Sequence, residues 1–323
     1  MSSDHTIARY SSQLRIEQLG TETVFRKKYV EDDWGGNHEV VRKRAHREYR
    51  LIEQLATSGE FRRRLGVVRV ADASPSKGEI ATYQVPGRSL EQWIHQKNKL
   101  DSMLPWFLAG RWLRTFQSLS LPKEANERFT DEDQGAIADY CDVRLSSLSD
   151  YNYGWPGLTH KQKIYDTLSK LETCDGRTVW VHADYAPGNL MWGNGVFTPI
   201  DFAMARAGNG LEDATYLIHR LEMAKIYRPW IKLPVADCRR AILRGLGRSD
   251  AVNSPQYQAL MIKHLICRLH TYVRRPAKSC KQAIHDYWVR NVIRRKLLKT
   301  VDSLGVSCAA ASGADLLVPS NTD

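Results

Sequence analysis

Residues 178–205, TVWVHADYAPGNLMWGNGVFTPIDFAMA, constrain the fold of this chain more than any other stretch. Two short apolar runs, Leu190 to Trp192 and Val196 to Ile200, flank Gly193-Asn194-Gly195. Asn-Gly between apolar runs is a strong hairpin signal, because both central residues of the favoured turn need positive φ. A hairpin with its tip at Asn194-Gly195 brings its open ends together and sets Asn189 beside Asp201. The apolar strand around Val179 and Val181 runs into His182-Ala183-Asp184, which leaves Asp184 on the loop feeding the hairpin.

An Asn and an Asp converging on one point offer hard oxygen ligands, suited to Mg²⁺ accompanied by substrate phosphates. A second Asp nearby can orient a substrate hydroxyl and accept its proton. Together these are the parts of a phosphoryl-transfer site. The pattern H-x-D-x-x-x-x-N alone arises by chance in roughly one chain in a hundred. The hairpin and the terminal Asp201-Phe202 make accident much rarer. The competing reading is a polar loop whose Asp and Asn only make turns.

The 323 residues around this segment suit two domains or lobes. Hydrophobic content of 42% and charged content of 26% argue against wholesale disorder. Residues Thr21 to Val30, Leu65 to Ala71 and Glu79 to Val85 read as strands, with a helix from Glu39 to Leu55 between the first two. Ser89 is the expected N-cap of a short helix beginning LEQWI. Beyond about residue 100 helical spacing dominates, around Leu104–Phe116, Ile164–Leu171, Leu211–Leu221, Gln256–Val273 and Ala283–Leu304, and from Gly305 the sequence reads as a frayed tail. The expected division is 1–86, 87–305 and a flexible 306–323. Six scattered cysteines without a C-x-x-C pair argue against a disulfide framework, and His264, Cys267 and His270 lack a fourth partner for zinc. No apolar run is long enough for a transmembrane helix and no secretory signal is visible, so a cytoplasmic location is expected.

HADYAPGNLMW followed by PIDFAMA resembles the H-G-D-x-x-P-G-N core of the aminoglycoside phosphotransferase/choline kinase family. The flanking AGRWLRTFQSL, LEDATYLIHRL and YQVPGRSL are similar to the family's neighbouring segments. The resemblance implies an α+β, bilobal protein-kinase-like fold, with a small β-rich N-lobe and a larger, mainly helical C-lobe. It implies an ATP-dependent kinase in which Asp184 is the catalytic base and Asn189 and Asp201 hold Mg²⁺. His182 would buttress the loop. A kinase-like N-lobe also needs a Lys for the α- and β-phosphates and a Glu to pair with it. Strand alternation and the family's h-x-K-x-[YF] form favour Lys27 over Lys28. Glu48 is the expected partner, with a surface ion pair to Arg44 as the competing role. Tyr83 and Val85, in the segment that links the lobes, would border the nucleotide. The sequence departs from the family in having no G-x-G-x-x-G near Leu19-Gly20-Thr21, and Ala183 where Gly is usual.

The acceptor is less legible. A formal charge of +11 attracts polycations poorly, so a neutral or anionic hydroxyl compound, such as a sugar or cell-envelope precursor, is expected as the small-molecule partner. A protein or lipid kinase differs only in acceptor. A non-enzymatic nucleic-acid binder would explain the charge but not the Asp184, Asn189 and Asp201 cluster, and no specific nucleic-acid motif is present. The last helix, DYWVRNVIRRKLLKTVDSL, can either dock its apolar side, Trp288, Val289, Val292, Ile293, Leu297 and Leu298, on the C-lobe or lie on an anionic membrane surface.

Overall fold

The computed structural model describes residues 6–8, 12–31, 37–61, 63–95, 102–122, 137–149, 158–172 and 178–313. The chain forms two compact units, residues 1–134 with 176–252 and residues 135–175 with 253–323. Elements are numbered along the chain.

The first unit opens with a five-stranded antiparallel sheet in the order β1-β2-β3-β5-β4. Its strands are β1 (Thr6–Ala8), β2 (Ser12–Leu19), β3 (Glu22–Tyr29), β4 (Val70–Ser74) and β5 (Glu79–Tyr83). Helix α1 (His38–Thr57) starts where the Asn37 side chain accepts hydrogen bonds from the backbone N–H of Glu39 and Val40, at 3.0 and 3.1 Å. Val41 and Ala45 of α1 pack on Tyr29 and Ile80 of the sheet. Leu65 to Ala71 is not the strand its composition suggests. Only from Val70 does it join the sheet, because residues 64–66 bond elsewhere: Gly66 N–H donates to the Phe197 carbonyl and Phe197 N–H to the Arg64 carbonyl, both at 2.8 Å. Gly66 permits this approach, since a Cβ there would fall 2.1 Å from the Thr198 hydroxyl.

After β6 (Arg88–Ser89), α2 (Leu90–His95) begins at a reciprocal cap. Ser89 Oγ accepts from Gln92 N–H at 3.2 Å while Gln92 Oε1 accepts from Ser89 N–H at 3.0 Å. Helix α3 (Leu104–Phe116) packs against α7 (Val235–Leu246). The expected hairpin forms from β8 (Leu190–Gly193) and β9 (Val196–Pro199), with β6 alongside β8. Asn194 and Gly195 have φ of 52° and 74°, as the turn demands. Strand β7 (Thr178–Val181) pairs with β10 (Arg206–Asn209), and α6 (Glu212–Tyr227) follows. Trp112, Phe116, Trp180 and Phe202 are buried and in ring contact, giving the loop between β7 and β8 a rigid floor.

The second unit is helical: α4 (Ile137–Ser149), α5 (Leu158–Glu172), α8 (Pro255–Arg274) and α9 (Cys280–Gly313). Cys267 Sγ donates to Tyr140 Oη at 3.1 Å and His270 Nε2 lies 2.7 Å from Ser147 Oγ, so these side chains tie α8 to α4. Val289, Ile293 and Leu297, on the apolar side of α9, are buried at 0% exposure. The helix runs to Gly313, past the Gly305 at which the sequence reads as a tail. Neither α4 nor α7 is apparent from the sequence. Cys174, Cys308 and Trp155 lie where side chains are not described. Among the described residues no helix is long and apolar enough to cross a membrane.

Candidate active site

Hairpin closure does to Asn189 and Asp201 what the sequence predicts. Ile200 N–H donates to the Asn189 carbonyl at 2.9 Å, just outside the last strand pair, Leu190 with Pro199. Asn189 Nδ2 donates to Asp184 twice, to its carboxylate at 2.9 Å and its carbonyl at 3.0 Å. An amide whose nitrogen is committed this way has its oxygen left to face a cation.

The phosphate-binding candidates come from the sheet and α1. Lys27 Nζ sits 2.6 Å from Asp201 Oδ1 and 3.5 Å from Glu48 Oε2. Lys28 points the other way, half exposed and 3.4 Å from Glu79. Strand alternation therefore selects the lysine that enters the site. Glu48 is buried, not a surface partner of Arg44: its carboxylate accepts from Phe202 N–H at 2.9 Å and from the Tyr29 hydroxyl. Burial would lower the Lys27 pKa, but the carboxylates of Asp201 and Glu48 outweigh it and hold the ammonium charged.

A cleft of about 220 Å³, partly open to solvent, runs from these charges along the sheet. Its walls include Phe25, Val68, Ile80, Tyr83, Val85 and Met191, an apolar slot ending at Lys27, Glu48 and Asp201. Val85 lies beyond the end of β5 pairing, where Gln84 N–H makes the last bond, to the Thr23 carbonyl at 2.9 Å. All seven site residues predicted from sequence thus fall in one place: five line this cleft, and Asn189 and Asp184 adjoin it.

Two groups were not legible as site residues. Asp213, buried on α6, accepts from the backbone N–H of His182 at 2.7 Å and of Ala183 at 2.9 Å, clamping the loop that carries Asp184. Burial pushes its carboxyl up to about 7, against the pull of those two amides. Its signal in the sequence, an acid in the first turn of a helix, reads as a cap. Arg220 lies seven residues on, two turns along the same face, and its charge acts on Asp184. The Asp184 carboxyl is pushed up to about 6, by burial first and then by the Asp201 charge, with Asn189, Arg220 and Lys27 opposing. His182 is fully buried and held down to about 4 by desolvation. Its neutral ring donates from Nε2 to the Ile200 carbonyl at 3.1 Å, tying the loop to the hairpin.

A cation fits the donor set. Asp201 already accepts a positive group, the Lys27 ammonium, and Asn189 adds a neutral oxygen. Among the described residues no group of three or more His, Cys, Asp and Glu side chains is placed to hold a metal, so the protein offers few ligands and a bound phosphate would have to supply others.

The profile of the phosphotransferase enzyme family (APH) matches residues 17–256, most of the chain and the whole of this site. The chain belongs to that family. This phosphotransferase is similar in fold to ADP-bound aminoglycoside phosphotransferase APH(2'')-Ib, with a TM-score of 0.58, 15% identity, and 93% of this chain and 94% of that one covered. It is also similar to a choline/ethanolamine kinase family protein from Mesorhizobium loti, with a TM-score of 0.58, 11% identity, and coverage of 94% and 92%. For amicoumacin kinase hAmiN in complex with AMP-PNP, Ca²⁺ and Ami, the TM-score is 0.57 at 12% identity, covering 91% and 88%. No curated protein sequence matches the phosphotransferase. The α+β, protein-kinase-like architecture expected from the sequence is the one observed: a small β-sheet region, then a mainly helical one.

Proposed function

We propose that this phosphotransferase moves the γ-phosphate of ATP to a hydroxyl of a neutral or anionic small molecule. The observation that carries the reading is the convergence of Lys27, Glu48 and Asp201, within 3.5 Å of the lysine ammonium, beside Asn189-bound Asp184.

Each residue has a role that follows from its chemistry. Lys27, oriented by Glu48, bonds the α- and β-phosphates. Asn189 and Asp201 would hold Mg²⁺, which when bound neutralises phosphate charge. Tyr83 and Val85 border the base in the apolar slot. Asp184 receives the acceptor hydroxyl and its proton, and the clamp from Asp213 fixes where it does so. Positioning and charge neutralisation account for most of the catalysis in such a site, since little covalent help is needed.

The acceptor class rests on charge. The chain carries +11, and the Arg220 guanidinium acts on the carboxyl that would receive the hydroxyl. Both disfavour a polycation. A γ-phosphate transfer screen over aminoglycosides, choline, neutral sugars and anionic glycolipid head groups tests this. The expected result is highest kcat/KM on a neutral or anionic compound. Highest turnover on an aminoglycoside or on choline would overturn the acceptor class and leave the kinase reading intact.

A further inference from the structure

The tip of the second unit, where α8 turns into α9, carries an exposed apolar patch within a field of positive charge. Ile284, Tyr287 and Trp288 are 71%, 60% and 40% exposed. Their spacing, i, i+3 and i+4, places them side by side on one face of α9. The helix cannot turn that face inward, because Val289, Ile293, Leu297 and Val301 on its other side are already buried. From Arg274 to Lys299 the sequence holds nine Lys and Arg and a single acid, Asp286, which is buried at 3% exposure. Arg274, Arg275, Lys278 and Lys281 are exposed before the patch, and Arg295 and Lys299 after it.

We propose that this tip is a docking surface for an anionic lipid bilayer. Charge complementarity selects the partner. The exposed charges of this stretch are all cationic, so it repels a second copy of itself and is drawn to a dense array of negative head groups. The apolar residues distinguish the bilayer from a nucleic acid. Trp and Tyr favour the depth where head groups meet acyl chains, and an exposed Ile gains only by leaving water. Cations on both sides of the three apolar residues would let the patch enter the interface while Lys and Arg reach the phosphates. This face of α9 is distinct from the buried apolar side, so docking needs no unfolding of the helix.

The test is flotation of the full chain with vesicles of phosphatidylcholine alone, or mixed with phosphatidylglycerol, at low and high salt. Two double variants are compared with wild type: Ile284→Ser with Trp288→Ser, and Lys278→Glu with Lys281→Glu. All four positions are exposed, and thermal melts verify that the variants fold. The expected result is salt-sensitive flotation with the mixed vesicles only. The paired charge reversal should lower the bound fraction at least about fivefold, and the serine pair should lower it further even at low salt. Absence of wild-type flotation with mixed vesicles at low salt overturns the proposal. So does flotation that neither pair weakens, or retention of the surface by a single-stranded oligonucleotide or a second copy in place of vesicles. None of these outcomes bears on the kinase reading, which this measurement does not touch.

Discussion

A carboxylate serves as a base only while ionised, and at Asp184 burial and the neighbouring Asp201 charge raise the pH at which that happens to about 6. Because the shift is upward, protonation sets in well above the ordinary Asp range, and activity is lost as pH falls through this value. The acid limb of kcat/KM should therefore bend near pH 6 and be flat above it; a profile level down to pH 4.5 would remove Asp184 as the titrating base. One residue before it, Ala183 holds φ at 63°, a conformation that favours Gly. Ala183→Gly should stabilise the protein by about 1 kcal/mol in urea unfolding, the cost of a side chain in the left-handed region less the entropy Gly adds to the unfolded chain. At this scale Lys27 was legible, because alternation along a strand is a local property. Asp213 was not, because its hydrogen bonds reach residues some thirty positions away and nothing local announces them.

Helices α3 and α7 meet where each lacks a side chain. A Cβ on Gly110 would lie 1.9 Å from the Ile242 carbonyl oxygen, and one on Gly245 would lie 2.0 Å from the Phe107 carbonyl oxygen. Backbone cannot yield as a flexible side chain does, so Gly110→Ala should cost at least about 2–3 kcal/mol despite its higher helix propensity. Gly245→Ala should cost a similar amount and the pair less than the sum, since either change already separates the helices. A Gly110→Ala protein as stable as wild type would contradict this packing. The same small residues explain why α7 was hidden. Three of its buried positions, Cys238, Ala241 and Gly245, are small, which breaks up the apolar spacing that Ile242, Leu243 and Leu246 would otherwise give. The β8–β9 hairpin was legible for the opposite reason, since Asn194-Gly195 can do little else between two apolar runs. Leu65 to Ala71 misled because strand composition cannot say which partner takes the hydrogen bonds, and here the hairpin takes the first of them.

For the molecule as a whole, the +11 charge hints at nucleic acid only until the cleft is in view. Five charged or amide side chains, Lys27, Glu48, Asp184, Asn189 and Asp201, then meet at one place, and the proposed chemistry rests on them rather than on the net charge. The family and the Asp184, Asn189 and Asp201 cluster were legible from one 28-residue segment, whereas the acceptor was not, because no local motif names a hydroxyl compound. The central claim is that this cleft transfers phosphate, and Asp201 is its most exacting test. It touches Lys27, follows the hairpin, would hold the cation, and closes the polar end of the slot. The direct measurement is γ-phosphate release from ATP with Mg²⁺ by wild type and by Asp201→Ala at matched folding. The account predicts turnover by wild type and a loss of at least about a hundredfold in the variant. Equal turnover by the two proteins would contradict it.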